Sequence, residues 1–107
     1  MDDKTQKAVD KIVNQLIKKY KPEKIILFGS AASGKMRRFS DLDFLLVKKD
    51  VPKYGYQRMR EVRNLVDRVG YPVDFLVYKP EEFYRLLEWG EPLINSAMKK
   101  GKVLYGG

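Results

Sequence analysis

The 107-residue chain contains neither cysteine nor histidine. The absence of cysteine excludes disulfide bonds and thiolate metal sites, and the absence of both residue types excludes the usual zinc centres. It also excludes catalytic arrangements that pair a serine or a cysteine with a histidine. Catalysis by this chain therefore depends on carboxylates, hydroxyls, lysines, backbone amides or a bound hard metal ion.

Long hydrophobic segments are also lacking. No apolar run approaches the ~20 residues needed to cross a bilayer, and the first residues are acidic rather than those of a signal peptide. We therefore expect a cytoplasmic protein without a membrane partner. The formal net charge of +8 favours acidic partners such as nucleotides, although charge alone identifies no site.

The order of apolar and turn-forming segments predicts one α/β domain over residues 1–107. Four helices are expected. The first covers residues 5–20, and the second is marked by Met59, Val62, Val66 and Val69 and ended by Gly70. The third runs from Pro80 to about Trp89, and the fourth from Pro92 to Gly101. Short apolar runs predict buried strands at 24–28, 42–47 and 72–78, with an edge strand at 102–105. The chain is thus expected to form a small mixed sheet of three to four strands flanked by about four helices.

The connection between the second and third strands contains a helix and is long enough for a crossover. A crossover favours parallel pairing of these two strands. If the first strand returns antiparallel to the second, its carboxyl end lies at the edge where the other two begin. The residues at these three points are therefore expected to meet.

Acidic residues stand at the beginnings of two otherwise apolar strands: Asp41 and Asp43 at the second, and Asp74 at the third. An unpaired carboxylate in apolar surroundings is costly, and neither strand contains a basic residue. Asp41 and Asp43 share a face because side chains two residues apart in a strand point the same way. An Asp-x-Asp pair is also common in turns and at solvated edges, a reading that the apolar flanks of Asp43 and Asp74 disfavour.

The Gly29-Ser30 pair follows the first strand and is expected at the same edge. Alone, such a pair is usually only a turn, but here its backbone N–H groups and hydroxyl could hold a phosphate. Clustered carboxylates without histidine or cysteine suit Mg²⁺, whose coordination is often completed by substrate phosphates. Together these residues predict a site for metal-assisted phosphoryl or nucleotidyl transfer.

The combined pattern resembles the minimal nucleotidyltransferases of the DNA polymerase beta superfamily. The segment from Leu27 to Gly34, followed by Ser40-Asp41-Leu42-Asp43, is similar to the Gly-Ser motif and the Asp-x-Asp of that family. The segment Val73–Val77 resembles the one that carries its third acid. The likeness covers nearly the whole chain, and it implies the palm-like nucleotidyltransferase fold of that superfamily.

The resemblance also implies roles for the site residues. Asp41 and Asp43 would bind two Mg²⁺ ions, Asp74 would bind the catalytic ion and take the proton of the acceptor, and Gly29 and Ser30 would hold the β- and γ-phosphates of ATP. This chain has Ser33 where the family usually has an arginine. The candidates to replace that positive charge are Lys35, Arg37 and Arg38, which equally fit a solvated basic loop.

Stand-alone members of the family are typically antitoxins encoded beside a HEPN-domain protein. The resemblance therefore implies transfer of AMP to a tyrosine of a HEPN ribonuclease toxin. The predicted elements use up the chain and leave no acceptor domain, so the acceptor is expected to be a separate protein, with a homo-oligomer or a complex with the toxin as the assembly. Candidate contact surfaces are the first helix and the segment of Trp89, Leu93 and Ile94, both of which also suit the core.

Two other functions remain open at this point. The chain could neutralise its partner by binding alone, with catalysis lost through the change at Ser33. It could instead transfer nucleotides to RNA or bind RNA, a reading supported only by charge, since most Tyr and Phe residues are expected in the core. Nucleic acid is therefore the less favoured partner. The sequence does not identify the base, the target residue or the oligomeric state.

Overall fold

A computed structural model describes residues 1–34 and 41–107 of the chain. The helices of this part are α1 (Asp3–Gln15), continued by a π-helical segment (Leu16–Tyr20), α2 (Gly29–Ser33), α3 (Gly55–Leu65), α4 (Pro80–Trp89) and α5 (Pro92–Lys100). The strands are β1 (Lys24–Phe28), β2 (Leu42–Val47), β3 (Val73–Tyr78) and β4 (Lys102–Tyr105). The predicted α/β fold is confirmed.

The four strands form one mixed sheet in the order β3-β2-β1-β4. Strand β2 pairs in parallel with β3, and β1 pairs antiparallel with both β2 and β4. The parallel pair is the one predicted from the crossover between the two strands. The carboxyl end of β1 and the amino ends of β2 and β3 therefore lie at one edge of the sheet.

Each face of the sheet is covered by helices and carries its own apolar cluster. On the α1/α3 face, side chains such as Leu27, Phe44 and Phe75 pack with Ile12 and Val62. On the α4/α5 face, a smaller cluster joins the sheet to the two last helices; its buried members are Ile26, Leu45, Val47, Phe83, Ile94 and Ala97. Alternate side chains of each strand thus belong to opposite faces.

Local signals in the sequence explain most helix ends. Asp2 caps α1, because its carboxylate accepts a hydrogen bond of 2.7 Å from the Thr5 N–H. Helices α4 and α5 begin with Pro80 and Pro92 as predicted, and α4 ends at Gly90, whose φ is +77°. None of the helices in the described ranges is both long and apolar enough to cross a membrane.

The predicted end of the second long helix is wrong. Helix α3 stops at Leu65 rather than continuing to Gly70, and Val66 is extended, although Val66 and Val69 still pack against the α1/α3 core. The Gln15 side chain of α1 binds both the backbone N–H and the carboxylate of Asp67, each at 2.8 Å. This contact between distant segments holds an extended backbone, which apolar spacing alone does not reveal.

Strand β3 is an edge strand, and two arginines of α3 bind its outward carbonyls. The carbonyls of Pro72 and Tyr78 accept hydrogen bonds from β2 and its continuation, so those of Val73 and Val77 point outward. Arg63 donates to the Val73 carbonyl at 3.1 Å, and Arg58 donates to the Val77 carbonyl at 3.0 Å. Helix α3 is thereby fastened along this edge.

Arg58 also binds two further segments, the loop before α3 and the start of α4. Its buried guanidinium donates to the carbonyls of Pro52 at 2.5 Å and Lys53 at 3.3 Å, and to Glu82 at 2.7 Å. Glu82 accepts in addition from the backbone N–H of Lys79, and the hydrogen bond from Arg58 holds the pKa of Glu82 below its usual range. Arg58 therefore fixes the loop before α3, the end of β3 and the start of α4.

The expectation that most aromatic side chains lie in the core holds only for part of the chain. Phe44, Phe75 and Phe83 are buried. Tyr54 and Tyr56, in contrast, are exposed, and so is Trp89, which retains 73% of its accessible surface. Of the segment proposed as a contact surface, Ile94 is buried and only its neighbours Trp89 and Leu93 face solvent.

Candidate active site

The three predicted acids lie at the edge where β1 ends and β2 and β3 begin. Asp43 is paired in register with Phe28 on one side and with Asp74 on the other. Asp43, Leu45 and Val47 are spaced two residues apart along β2, so their side chains share a face. Asp43 therefore faces the α4/α5 side of the sheet, as Leu45 and Val47 do. Asp74 is its parallel partner and lies on the same face, beyond the part that the two helices cover.

The acids form a compact cluster. Asp41, Asp43 and Asp74 each offer one carboxylate oxygen, and these oxygens all lie within 4.8 Å of one another. Asp41 and Asp43 are half-buried, whereas Asp74 is exposed. The structure thus brings together the three residues that the strand spacing predicted to meet.

The cluster concentrates negative charge. Desolvation raises the pKa of Asp43 to about 6, with the charges of Asp74 and Asp41 adding to the effect. A hydrogen bond shared with Asp74 raises the pKa of Asp41, and desolvation and the charge of Asp74 act in the same direction. A cation bound among these oxygens would relieve the repulsion that both shifts reflect.

One cation already contacts the cluster. The guanidinium of Arg63 donates a hydrogen bond of 3.1 Å to Asp74 Oδ1, and both side chains are about half exposed. Sequence reasoning missed Arg63 because it looked for basic residues only within the strands. The available signal was the crossover itself, since it packs α3 against β3 and brings the last turn of α3 near Asp74.

Gly29 approaches the cluster more closely than any other residue type could. A Cβ atom on Gly29 would lie 2.4 Å from Asp43 Oδ2, and its φ of +73° is a conformation that side chains disfavour. Ser30 follows in the first turn of α2. The Gly29-Ser30 pair therefore lies at the predicted edge, directly beside Asp43.

Ser33 and the three basic candidates that follow α2 are placed only in part. Ser33 is exposed at the end of α2, and its hydroxyl donates to the Ser30 carbonyl at 3.2 Å. Lys35, Arg37 and Arg38 lie outside the described residues. The part they were expected to play stays a prediction.

The donor set fits a hard divalent cation. Its ligand atoms are carboxylate oxygens alone, which Mg²⁺ prefers over softer ligands. The Arg63 hydrogen bond of 3.1 Å is to Asp74 Oδ1, so Oδ2 of Asp74 does not take part in it. The three carboxylates are therefore a candidate site for a divalent cation.

Comparison with known proteins identifies the relatives of this chain. Residues 9–104 match the nucleotidyltransferase domain family. A Methanocaldococcus jannaschii protein named as a candidate protein adenylyltransferase is 33% identical, with 94% of this chain and 97% of that protein covered. A second candidate protein adenylyltransferase of the same organism is 28% identical, with 94% of this chain and 74% of that protein covered.

Solved structures share the fold at lower identity. A crystal structure of a toxin–antitoxin with AMP-PNP matches with a TM-score of 0.63 and 23% identity over 92% of this chain and 73% of the other. A candidate nucleotidyltransferase from Sulfolobus solfataricus matches with a TM-score of 0.60 and 24% identity over 91% of this chain and 76% of the other.

Proposed function

This chain belongs to the nucleotidyltransferase domain family, and we propose that it transfers AMP from ATP to a tyrosine of a HEPN ribonuclease toxin and thereby acts as the antitoxin. The observation that carries the proposal is the convergence of Asp41, Asp43 and Asp74 within 4.8 Å beside Gly29. The family places the chain among nucleotidyltransferases. The acceptor and the partner are the parts that need testing.

In the proposed reaction, the tyrosine oxygen of the acceptor forms a bond to the α-phosphorus of ATP. The bond from that phosphorus to the oxygen bridging to the β-phosphate breaks, and pyrophosphate leaves. Asp41, Asp43 and Asp74 would hold two Mg²⁺ ions, which would supply charge stabilisation to the attacking and leaving oxygens. Asp74, at the open side of the cluster, accepts the proton of the tyrosine, while Gly29 and Ser30 hold the β- and γ-phosphates.

The choice of a protein acceptor is supported by the two relatives named as candidate protein adenylyltransferases. The HEPN toxin and its tyrosine follow from the resemblance to the minimal nucleotidyltransferases. A fold neighbour taken from a toxin–antitoxin complex makes a toxin the first partner to test.

The test uses the purified chain, Mg²⁺, ATP labelled at the α-phosphate and the product of the adjacent gene, which the proposal expects to be a HEPN protein. We expect label on the HEPN protein, mass spectrometry to locate a nucleoside monophosphate on a tyrosine, and the toxin to lose ribonuclease activity. Asp43→Asn should abolish labelling, with Asp50→Asn, an exposed acid in the loop after the other end of β2, as the matched control that keeps it. Full labelling by the Asp43→Asn variant, or none by the unaltered chain, would refute the proposal.

Neutralisation by binding alone is distinguished in the same experiment. If occlusion suffices, the Asp43→Asn protein will silence the ribonuclease as well as the unaltered chain does. The catalytic proposal instead expects silencing to require ATP, Mg²⁺ and an intact Asp43. Removing the chain itself from the toxin after the reaction separates the two, because a covalent modification of the toxin persists whereas occlusion ends.

A specific surface favours RNA as a second candidate acceptor. Tyr54 and Tyr56 are exposed, with ring centroids 5.9 Å apart. Lys53 lies 5.5 Å from the Tyr54 ring and Arg60 lies 5.9 Å from the Tyr56 ring. Exposed aromatic rings beside cations are the features with which proteins stack single-stranded bases.

The RNA candidate makes its own prediction. Binding to a single-stranded RNA oligonucleotide should weaken with salt, and the double substitution Tyr54→Ala and Tyr56→Ala should weaken it further at constant salt. Tyr84 is an exposed tyrosine of α4 that is not part of the Tyr54–Tyr56 pair, so Tyr84→Ala serves as a control. Failure of the unaltered chain to bind the oligonucleotide at low salt would remove RNA as a candidate.

A further inference from the structure

A cavity of about 630 Å³ opens between α2 and α5, next to the candidate active site. Its walls include Phe28, Gly29, Ser33, Leu93, Ser96 and Lys100. This volume lies within the roughly 300–1,000 Å³ typical of small-molecule sites. The cavity is therefore large enough to hold much of a nucleotide.

The cavity lies on the side of Asp43 that faces away from Asp74. Phe28 is the register partner of Asp43 on β1, and Asp74 is its partner on β3. Gly29, which lines the cavity, is the residue whose Cβ position lies 2.4 Å from Asp43 Oδ2. A ligand in the cavity can thus reach the carboxylates from the β1 side and leave the β3 side free for an acceptor.

Lys100 is fixed beside this cavity by the tight junction between α5 and β1. A Cβ atom on Gly101 would lie 2.7 Å from the Leu27 carbonyl oxygen and 2.3 Å from that of Ala97, so only glycine fits there. Because Leu27 precedes Phe28 and Gly29, this contact holds the backbone next to Lys100 close to the Gly-Ser turn. The position of Lys100 is therefore set by backbone packing.

The chemistry of the walls divides the cavity into two kinds of surface. Phe28 and Leu93 are apolar and only partly covered, and Leu93 retains 39% of its accessible surface. Ser33, Ser96 and Lys100 contribute hydroxyls and a cation, and none of the lining residues in the described ranges is acidic. Nor does Lys100 form a salt bridge with another residue of those ranges. This combination suits an anion joined to an apolar ring.

We propose that the ammonium group of Lys100 binds the phosphates of the nucleoside triphosphate in the α2–α5 cavity, beside the Gly-Ser turn. This inference rests on the proposed function for the identity of the substrate. It adds a phosphate-binding residue from α5, which lies outside the Gly-Ser and Asp-x-Asp motifs of the sequence.

The test measures equilibrium binding of ATP with Mg²⁺ to the whole chain in the absence of any acceptor. We expect Lys100→Ala to weaken ATP binding about tenfold and Lys100→Arg to retain it, since a charged hydrogen bond to phosphate is lost only in the first variant. Lys99→Ala is the matched control, because Lys99 shares the last turn of α5 but does not line the cavity. Equal thermal stability of the variants excludes unfolding as the cause.

A series of ligands identifies the part of the nucleotide that Lys100 contacts. The effect of Lys100→Ala should be absent for adenosine, intermediate for ADP and largest for ATP, and inorganic triphosphate shows whether the base contributes. The substitution Ser33→Arg should restore ATP binding in the Lys100→Ala background. Equal effects of Lys100→Ala and Lys99→Ala, an equal effect on adenosine, or no ATP binding by the unaltered chain would each overturn the inference.

The binding readout separates this inference from the proposed function. ATP binding that depends on Lys100, without transfer to the HEPN protein, would support the site and refute the function. Transfer to the HEPN protein with an unchanged KM for ATP in Lys100→Ala would support the function and overturn the assignment of Lys100.

Discussion

Replacement of Asp43 by asparagine is expected to stabilise the metal-free protein at neutral pH. The pKa of Asp43 rises from 3.8 to about 6 on folding, which corresponds to at most about 3 kcal/mol. Solvent screening of this half-buried group reduces the cost of its charge to about 1–2 kcal/mol. For a chain of this size, removing that cost should raise Tm by about 5–10 °C.

The pH dependence gives the sign of the effect. The folded pKa of Asp43 lies above the unfolded value, so protons bind the folded state more tightly. The contribution of Asp43 to the free energy of unfolding is therefore greatest below about pH 4 and is lost as the pH rises through about 6. The difference in Tm between Asp43→Asn and the unaltered chain should therefore be large at pH 7 and vanish near pH 4. The control Asp50→Asn removes an exposed charge outside the cluster and separates the effect of the cluster from a general loss of negative charge.

Thermal unfolding followed by circular dichroism, with EDTA and then with Mg²⁺, provides the assay. Mg²⁺ should raise the Tm of the unaltered chain, because it binds the folded cluster and neutralises it, and should change that of Asp43→Asn much less. A variant less stable than the unaltered chain in EDTA at pH 7 would refute the reasoning, since the carboxylate would then be stabilising the fold. A Tm difference independent of pH would refute it as well.

Three other substitutions test single contacts. Arg58→Lys should lower the free energy of unfolding in urea by about 2–4 kcal/mol, because a lysine cannot serve all the acceptors of the buried guanidinium, and a loss below about 0.5 kcal/mol would contradict this. Tyr20→Phe should leave the free energy of unfolding unchanged or raise it by about 1 kcal/mol in the same assay, because the buried Tyr20 hydroxyl has no hydrogen-bond partner among the described residues. A loss of more than about 1 kcal/mol would show that the hydroxyl has a partner. Gly29→Ala should abolish most of the Tm rise caused by Mg²⁺. Gly70 also has a positive φ, of +81°, but has open space around it, so Gly70→Ala should retain the Tm rise. Equal responses of the two variants would mean that the contact of residue 29 with Asp43 is unimportant.

The sheet and the meeting of the acids could be predicted because both follow from local patterns. Short apolar runs marked the strands, and the length of the crossover implied the parallel pairing that brings Asp43 level with Asp74. The convergence needed no knowledge of side-chain packing, because the period of a strand and the direction of the chain determine it.

The parts that could not be predicted depend on contacts between distant segments. Gln15 of α1 binds Asp67 in the extended segment after α3, and Arg63 reaches Asp74 because α3 packs along the edge of β3. The exposure of Tyr54 and Tyr56 likewise depends on where the loop before α3 turns. The sequence pattern is the same whether such an aromatic residue lies in the core or on the surface, so the general expectation of core aromatics does not extend to these two residues.

The two arginines on the outer edge of β3 bear on how molecules of this protein associate with one another. The apolar strand Val73–Tyr78 is of the kind that joins strands of other chains in aggregates, and such joining begins with free carbonyls at an edge. Arg58 and Arg63 occupy the carbonyls of Val77 and Val73, so an added strand would have to displace both. A protein that meets Asp74 from this side must therefore present a surface side chain rather than extend the sheet. Loss of Arg63 would weaken this protection against aggregation and would also alter the surroundings of Asp74.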